Sequence, residues 1–206
     1  MTGMSVQRAV LDATLGIIAT DGPDAVSMRE VARRAGVSHQ APYHHFGDRA
    51  GIFAAIAAEG FTTLATKLRA VMADAANPSQ RCLEAYVAVA LEYPGHFRVM
   101  FRSDLCGVST NPTTAAAADA ALAELQRMVE RIIGTPSDSG AAFVWASALW
   151  SCAHGLATLL LDGPLRQELP PGVALDDHIG AVAALLGDMV DRQAAASGFH
   201  PYDPGR

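Results

Sequence analysis

The sequence predicts an all-α protein, and three observations carry that expectation. The composition is rich in Ala and poor in β-branched residues, which favours helices throughout. Apolar residues recur at helical spacing in segments separated by Gly and Pro breaks. Most specific is Ser27 to Arg49, SMREVARRAGVSHQAPYHHFGDR, which reads as a helix, a tight glycine turn and a short second helix.

Taken in order, a first helix is expected from Ser5 to Thr20, with Val6, Val10, Ala13 and Ile17 inward, ending at Asp21-Gly22-Pro23. The next begins with a capping box: the Ser27 hydroxyl accepts from the Glu30 N–H while the Glu30 carboxylate reaches back to Ser27. Met28, Val31, Ala32 and Ala35 share its inner face, and Arg29, Arg33 and Arg34 lie off it. Gly36 ends it in the left-handed conformation that costs glycine no Cβ clash. Val37 turns back to the core and Ser38 is the expected N-cap of the second helix. Pro42, about four residues in, removes a donor and crowds the Ser38 carbonyl, so this helix should be short and distorted at its start. Phe46 anchors its end, and Asp48 opens a helix running to about Ala75.

Asn77-Pro78-Ser79 breaks into a helix reaching Tyr93, and Pro94-Gly95 starts the short segment HFRVMFRSDL. Asn111-Pro112 opens a helix to about Ile133. Residues Ala141 to Leu161 contain no Asp, Glu, Lys or Arg, long enough to span a bilayer. Ser147, Ser151, His154 and Thr158 within it, and the absence of a flanking basic cluster, favour a helix buried on all sides of a soluble protein. A last helix is expected from Leu175 to about Ala195, followed by a loose tail rich in Gly and Pro.

The outer face of the second motif helix carries His39, Gln40, Tyr43 and His44, which suits a polar, stacked partner and has the layout of a DNA-reading helix-turn-helix. A net charge of −6 argues against DNA until its distribution is considered. Residues 1–52 hold five arginines (8, 29, 33, 34 and 49) and five acids (12, 21, 24, 30 and 48), so the excess acid lies entirely beyond Ile52. Three scattered cysteines (Cys82, Cys106, Cys152) without a CxxC fit a reducing cytoplasm, and no signal peptide precedes the first helix. We find no catalytic constellation, no metal-ligand spacing and no cofactor motif. His44 and His45 are adjacent and diverge, and His96 and His154 lack an acid or nucleophile at fixed spacing.

The pattern S-x-R-x-V-A-x-x-A-G-V-S-x-x-x-x-Y-x-H-F-x-x-R resembles the helix-turn-helix of the TetR family of bacterial one-component repressors. The resemblance is close over roughly residues 5 to 56 and holds in helical outline beyond. Two positions depart from the usual pattern: Pro42 stands where Leu or Ile is common, and Arg49 where Lys is. The resemblance implies a DNA-binding domain over residues 1–50, a ligand-binding and dimerisation domain over 51–196, and a loose tail over 197–206. It implies DNA contacts from Ser27, Arg29, Ser38, His39, Gln40, Tyr43, His44, His45 and Arg49. Arg29 and Gln40 are placed for base edges, and Tyr43, His45 and Arg49 for phosphates. Trp150, His154 and Gly155 resemble a W-x-x-x-H-G signature of one branch of the family's C-terminal domains. His96, Phe97, Met100, Phe101, Trp145, Trp150 and His154 are the side chains available for a ligand cavity.

Family members dimerise through two C-terminal helices of each subunit. The rows Ser147, Ser151, Gly155 and Gly180, Ala184, Asp188 name the two candidates. The implied protein is a cytoplasmic repressor, not an enzyme, that binds a palindromic double-stranded DNA operator as a homodimer. A small, largely apolar effector would release it, and no membrane is involved. The alternative is an all-helical protein-interaction module without operator binding.

Overall fold

A computed structural model of the chain describes residues 3–72, 77–108, 110–134, 136 and 139–195. Every regular element among the described residues is helical. The expected loose tail at 197–206 and the expected end of a helix at Ala75 lie outside the described residues.

The helices gather into two compact units. The first contains α1 (Gly3–Asp21), a 3₁₀ turn (Pro23–Ala25), α2 (Met28–Ala35), α3 (Ala41–Phe46) and the first part of α4 (Arg49–Met72), up to Thr62. Tyr93–Asp119 return to it with α6 (Pro94–Met100), α7 (Ser103–Cys106) and the start of α8 (Pro112–Ile133). This unit therefore extends past residue 50. Val10, Ile17, Ile18, Val31, Ile52, Phe53, Ile56 and Met100 form its core. The inner face of α1 is Val10, Leu11, Thr14, Ile17 and Ile18, with Val6 and Ala13 only half-buried at its edge. The buried Thr14 hydroxyl donates to the Val10 carbonyl one turn back (2.8 Å). Thr114 at the start of α8 donates to the Ala54 carbonyl of α4 (3.0 Å).

The second unit holds α4 from Thr63, α5 (Pro78–Glu92), α8 from Ala120, α9 (Gly140–Leu161), α10 (Pro164–Gln167) and α11 (Leu175–Ala195). Helix α5 is its centre, packed against both α9 and α11. Leu83, Val87 and Ala90 of α5 meet a core that includes Leu149, Ala153 and Leu160 of α9 and Ile179 and Ala183 of α11. Ser79 donates to Asp191 (2.9 Å), tying the ends of α5 and α11. Glu124 is a buried carboxylate, balanced by Arg69 and Arg127 (2.6 Å each).

One expectation is corrected here. Helix α9 is not buried on all sides. Ala142, Ala146, Leu149, Ala153, Leu156, Ala157 and Leu160 form a buried face, but Phe143 (60 %), Trp150 (41 %) and Leu159 (48 %) are exposed. It is the one described helix long and apolar enough to cross a membrane by length and composition. Its buried face is nonetheless packed on α5, and Ser139 caps its start by accepting from the Ala142 N–H (3.1 Å). A charge-free run looks the same whether its second face meets its own protein or a second chain.

Candidate nucleic-acid interface

The helix-turn-helix is assembled from the ends of short helices. The Ser27 hydroxyl accepts from the Glu30 N–H (3.3 Å), so half of the capping box is present. The other half is replaced. Both Glu30 oxygens take guanidinium N–H groups, from Arg33 (2.8 and 2.6 Å) and Arg34 (2.7 Å). These bonds hold the Glu30 carboxyl down at about 2. Helix α2 ends as expected at Gly36 (φ 65°), whose N–H donates to Arg33 while Val37 donates to Ala32, closing its last carbonyls. Met28, Val31 and Ala32 are buried, and Ala35 and Val37 half-buried.

Ser38 is not the side-chain cap of the next helix. Its carbonyl accepts from the Ala41 N–H (3.0 Å) in a tight turn, and α3 begins only at Ala41 with no side-chain cap. Pro42 explains the shift. Proline fits a helix in the first turn, where its missing N–H would have no partner, so the helix starts beside it instead of being broken by it. The reading helix is short, as expected, and Pro42 is buried beneath it. Its exit is equally tight. A Cβ on Gly51 would run into the Phe46 carbonyl, so only glycine lets α4 start this close to α3. Asp48 caps that start by accepting from the Gly51 N–H (2.8 Å). Sequence reasoning singled out Asp48 and missed Gly51, for which the signal was a glycine in the first turn of a helix.

Seven of the nine expected DNA-contact residues, Ser27, Arg29, Ser38, His39, Gln40, Tyr43 and His44, are exposed, and His45 and Arg49 are half-buried. Ser38, Gln40, Tyr43, His44 and His45 line one shallow surface hollow, edged by Val6 of α1. The His39 and Tyr43 rings lie 5.7 Å apart on that face, while His45 sits between the His44 and Phe46 rings.

The arginines of this region differ in what already holds them. Arg8 pairs with Asp12 (2.8 Å) and Glu59 (3.0 Å). Arg33 and Arg34 share Glu30, and Arg34 also reaches Asp21 (2.9 Å). Arg49 donates to the Pro23 carbonyl (2.8 Å) and lies over the Phe53 ring, 5.0 Å from its centroid. Arg29 alone of the five makes no hydrogen bond or ion pair among the described residues.

The seven expected ligand-cavity residues fall in different units. His96, Phe97, Met100 and Phe101 belong to the first, where Phe97 and Met100 are core. Phe101 packs edge-on to Phe61 and Phe97, and His96 approaches Glu59 (3.4 Å). Trp145, Trp150 and His154 belong to the second. There Tyr86 of α5, which sequence reasoning did not single out, joins two of them: its hydroxyl accepts from Trp150 Nε1 (3.2 Å) and bonds His154 Nδ1 (2.9 Å). Burial pushes the Tyr86 hydroxyl up and the His154 ring down from their ordinary values. Nothing in the α5 pattern set Tyr86 apart from a core aromatic. Cys82 and Cys106 are buried thiols and Cys152 an exposed one, all three free.

Comparison with known proteins covers both halves. The family of bacterial regulatory proteins named tetR matches residues 10–56, and the tetracyclin repressor-like C-terminal domain matches residues 79–182. The HTH-type transcriptional regulator BetI of Rhizobium meliloti (strain 1021) is 34 % identical over 210 residues, covering 97 % of this chain and 95 % of that protein. A protein of unknown function from Rhodococcus sp. RHA1 superposes with a TM-score of 0.72 at 27 % identity, over 91 % of this chain and 94 % of its own. AibR, solved with isovaleryl coenzyme A and operator DNA, shares the fold with a TM-score of 0.62 at 16 % identity, over 89 % of this chain and 97 % of its own.

Proposed function

Since this chain belongs to the TetR family of bacterial transcriptional regulators, we propose that it binds a palindromic operator as a homodimer and is released by a small, largely apolar effector. Residues 1–50 act as the reading head and 51–196 as the effector and dimer domain. The observation that carries DNA reading is Arg29, exposed and without a partner among the described residues, beside a face of exposed polar rings. A guanidinium so placed bridges guanine O6 and N7 with no bond to break first. Gln40 has the amide to pair with adenine, and Ser27, Ser38, Tyr43 and the histidines supply donors for phosphate and neighbouring bases.

The homodimer is supported by the outer faces of α9 and α11. On α9, Ser147, Ser151 and Gly155 form a row of small residues flanked by exposed Phe143, Trp150 and Leu159; on α11, Leu185 (61 %) and Met189 (59 %) are exposed. Small residues let a second helix approach closely and the large ones fill the groove beside it. A two-fold axis then presents two heads to two half-sites about one turn of DNA apart.

For the effector, Trp150, His154 and Gly155 resemble the W-x-x-x-H-G signature of one branch, and the Tyr86 hydroxyl gives Trp150 and His154 a shared polar anchor. AibR pairs operator DNA with an acyl coenzyme A in one such fold. Helix α4 begins directly after the reading helix and carries the chain into the second unit, which makes it the element to shift. Turning a mostly bound population into a mostly free one takes a differential affinity of roughly 5 kcal/mol. The protein acts in the cytoplasm, and its regulatory role requires no catalysis.

A gel-shift titration against the promoter DNA upstream of its own gene tests this reading. A specific shift is expected at low salt, weakened at least roughly tenfold by Arg29→Ala with Tyr43→Ala. No specific shift, or one the double variant leaves untouched, refutes it.

A further inference from the structure

We infer that Arg49 is a positioning residue, which locks the lead-in of α2 to the start of α4 instead of gripping a phosphate. This rests on the DNA-reading role proposed for the head. Three groups already surround its guanidinium. Nη2 donates to the Pro23 carbonyl at 2.8 Å, the Phe53 ring lies beneath it at 5.0 Å, and the Asp24 carboxylate stands 3.9 Å away. Its Nε is buried and has no hydrogen-bond partner among the described residues. To reach a phosphate, the side chain would release the carbonyl, leave the ring and carry an anion past Asp24.

What Arg49 holds is the turn that aims α2. Pro23–Ala25 form a single 3₁₀ turn, closed by Ala25 N–H to Gly22 (3.3 Å) and Val26 N–H to Pro23 (3.2 Å). The Pro23 carbonyl therefore accepts from both Val26 and Arg49. Val26 is buried, Ser27 caps α2, and Arg29 follows two residues later. The start of α4 is itself fixed by the Asp48 cap and by the close contact of Gly51 with Phe46. Arg49 thus ties the approach of α2 to the same point that ends α3, and sets where Arg29 stands relative to the reading helix. The arginine fork is suited to this, since it satisfies a carbonyl with one edge while its flat face stacks on an aromatic.

Two measurements decide the role. In the free protein, Arg49→Ala is expected to raise amide exchange at Ala25 and Val26 roughly tenfold by opening the turn locally, with the melting temperature nearly unmoved. Against a duplex that the wild-type protein selects from a random pool, Arg49→Ala should weaken binding roughly tenfold without changing the dependence on salt. Arg49→Lys should restore only part of this, because an ammonium donates to the carbonyl but does not stack as a plane. Unmoved exchange at Ala25 and Val26 overturns the inference. So does a salt slope reduced by about one, with affinity and slope both restored by Arg49→Lys, the signature of a phosphate contact. If the wild-type protein selects no duplex, the DNA reading fails while the exchange arm still judges the latch.

Discussion

The helix-turn-helix and the helices α9 and α11 leave side chains uncovered, and the two sets are chemical opposites. The first shows Arg29, His39, Gln40, Tyr43 and His44, side chains with donors and flat rings. The second shows Phe143, Trp150, Leu159, Leu185 and Met189, side chains that are mostly hydrocarbon. Water satisfies the first face adequately, so its uncommitted state says only that a polar partner can replace water without breaking internal bonds. It satisfies the second poorly, at about 25 cal/mol for each Å² left wet, so covering these side chains would favour the dimer proposed above. One set suits a polar partner and the other an apolar one.

The largest effect comes from breaking the apolar side of this contrast. Leu185→Asp with Met189→Asp changes two side chains that touch little of their own chain, so each folded subunit should keep its stability within about 1 kcal/mol. In a two-fold dimer the same change places four carboxylates where four apolar side chains were buried. At roughly 1 kcal/mol per side chain, dimerisation should weaken by about a thousandfold. Light scattering after size exclusion should find a monomer that melts near the wild-type temperature. A dimer that survives both substitutions would place the interface elsewhere.

The head breaks differently, through backbone and not through surface. Gly51→Ala adds one methyl group, but that methyl meets the Phe46 carbonyl, which no rotamer change can move. Overpacking of this kind costs about 1–3 kcal/mol, and a chain of this size should melt roughly 2–10 °C lower. Operator binding should fall further than stability, because relief requires α3 and α4 to part. A variant with unchanged melting and DNA binding would mean that the junction gives way freely.

The same division decides what could be read from the sequence. Signals in the head are local: Ser27 caps three residues on, and Gly36 turns the chain where it stands. Both ends of α2, the glycine turn and the exposed face were therefore legible, along with the long helices from Pro112 to Ile133 and from Leu175 to Ala195, while the start of α3 moved from Ser38 to Ala41. What was not legible depends on competing or distant partners. Glu30 had two arginines competing for its carboxylate, and the loss of its bond to Ser27 follows from that competition. Arg49 matched a basic position expected at phosphate, and its bond to the Pro23 carbonyl, 26 positions away, carried no sequence signal. Helix α9 looked buried because composition does not distinguish one covered face from two.

The smallest effect is electrostatic and lies in the second unit, at Tyr86. An indole N–H only donates, so Trp150 makes the Tyr86 oxygen an acceptor and leaves that hydroxyl's own proton for His154. With that proton given to Nδ1, the bond favours the neutral ring that carries its proton on Nε2. Burial works in the same direction and holds the ring below its ordinary value of 6.5. The unfolded chain therefore takes up this proton at a higher pH than the folded one, and the stabilisation is fully present above about 6.5. It is lost as the pH falls through the lowered folded value. Melting temperatures at pH 7.5 and 5.5 should differ more for the wild type than for His154→Gln, by less than either change above. Tyr86→Phe should keep part of the wild-type dependence, since burial still disfavours the charged ring once the hydroxyl is gone. An equal pH dependence in all three proteins would mean that the bond between Tyr86 and His154 does not select the ring's protonation state.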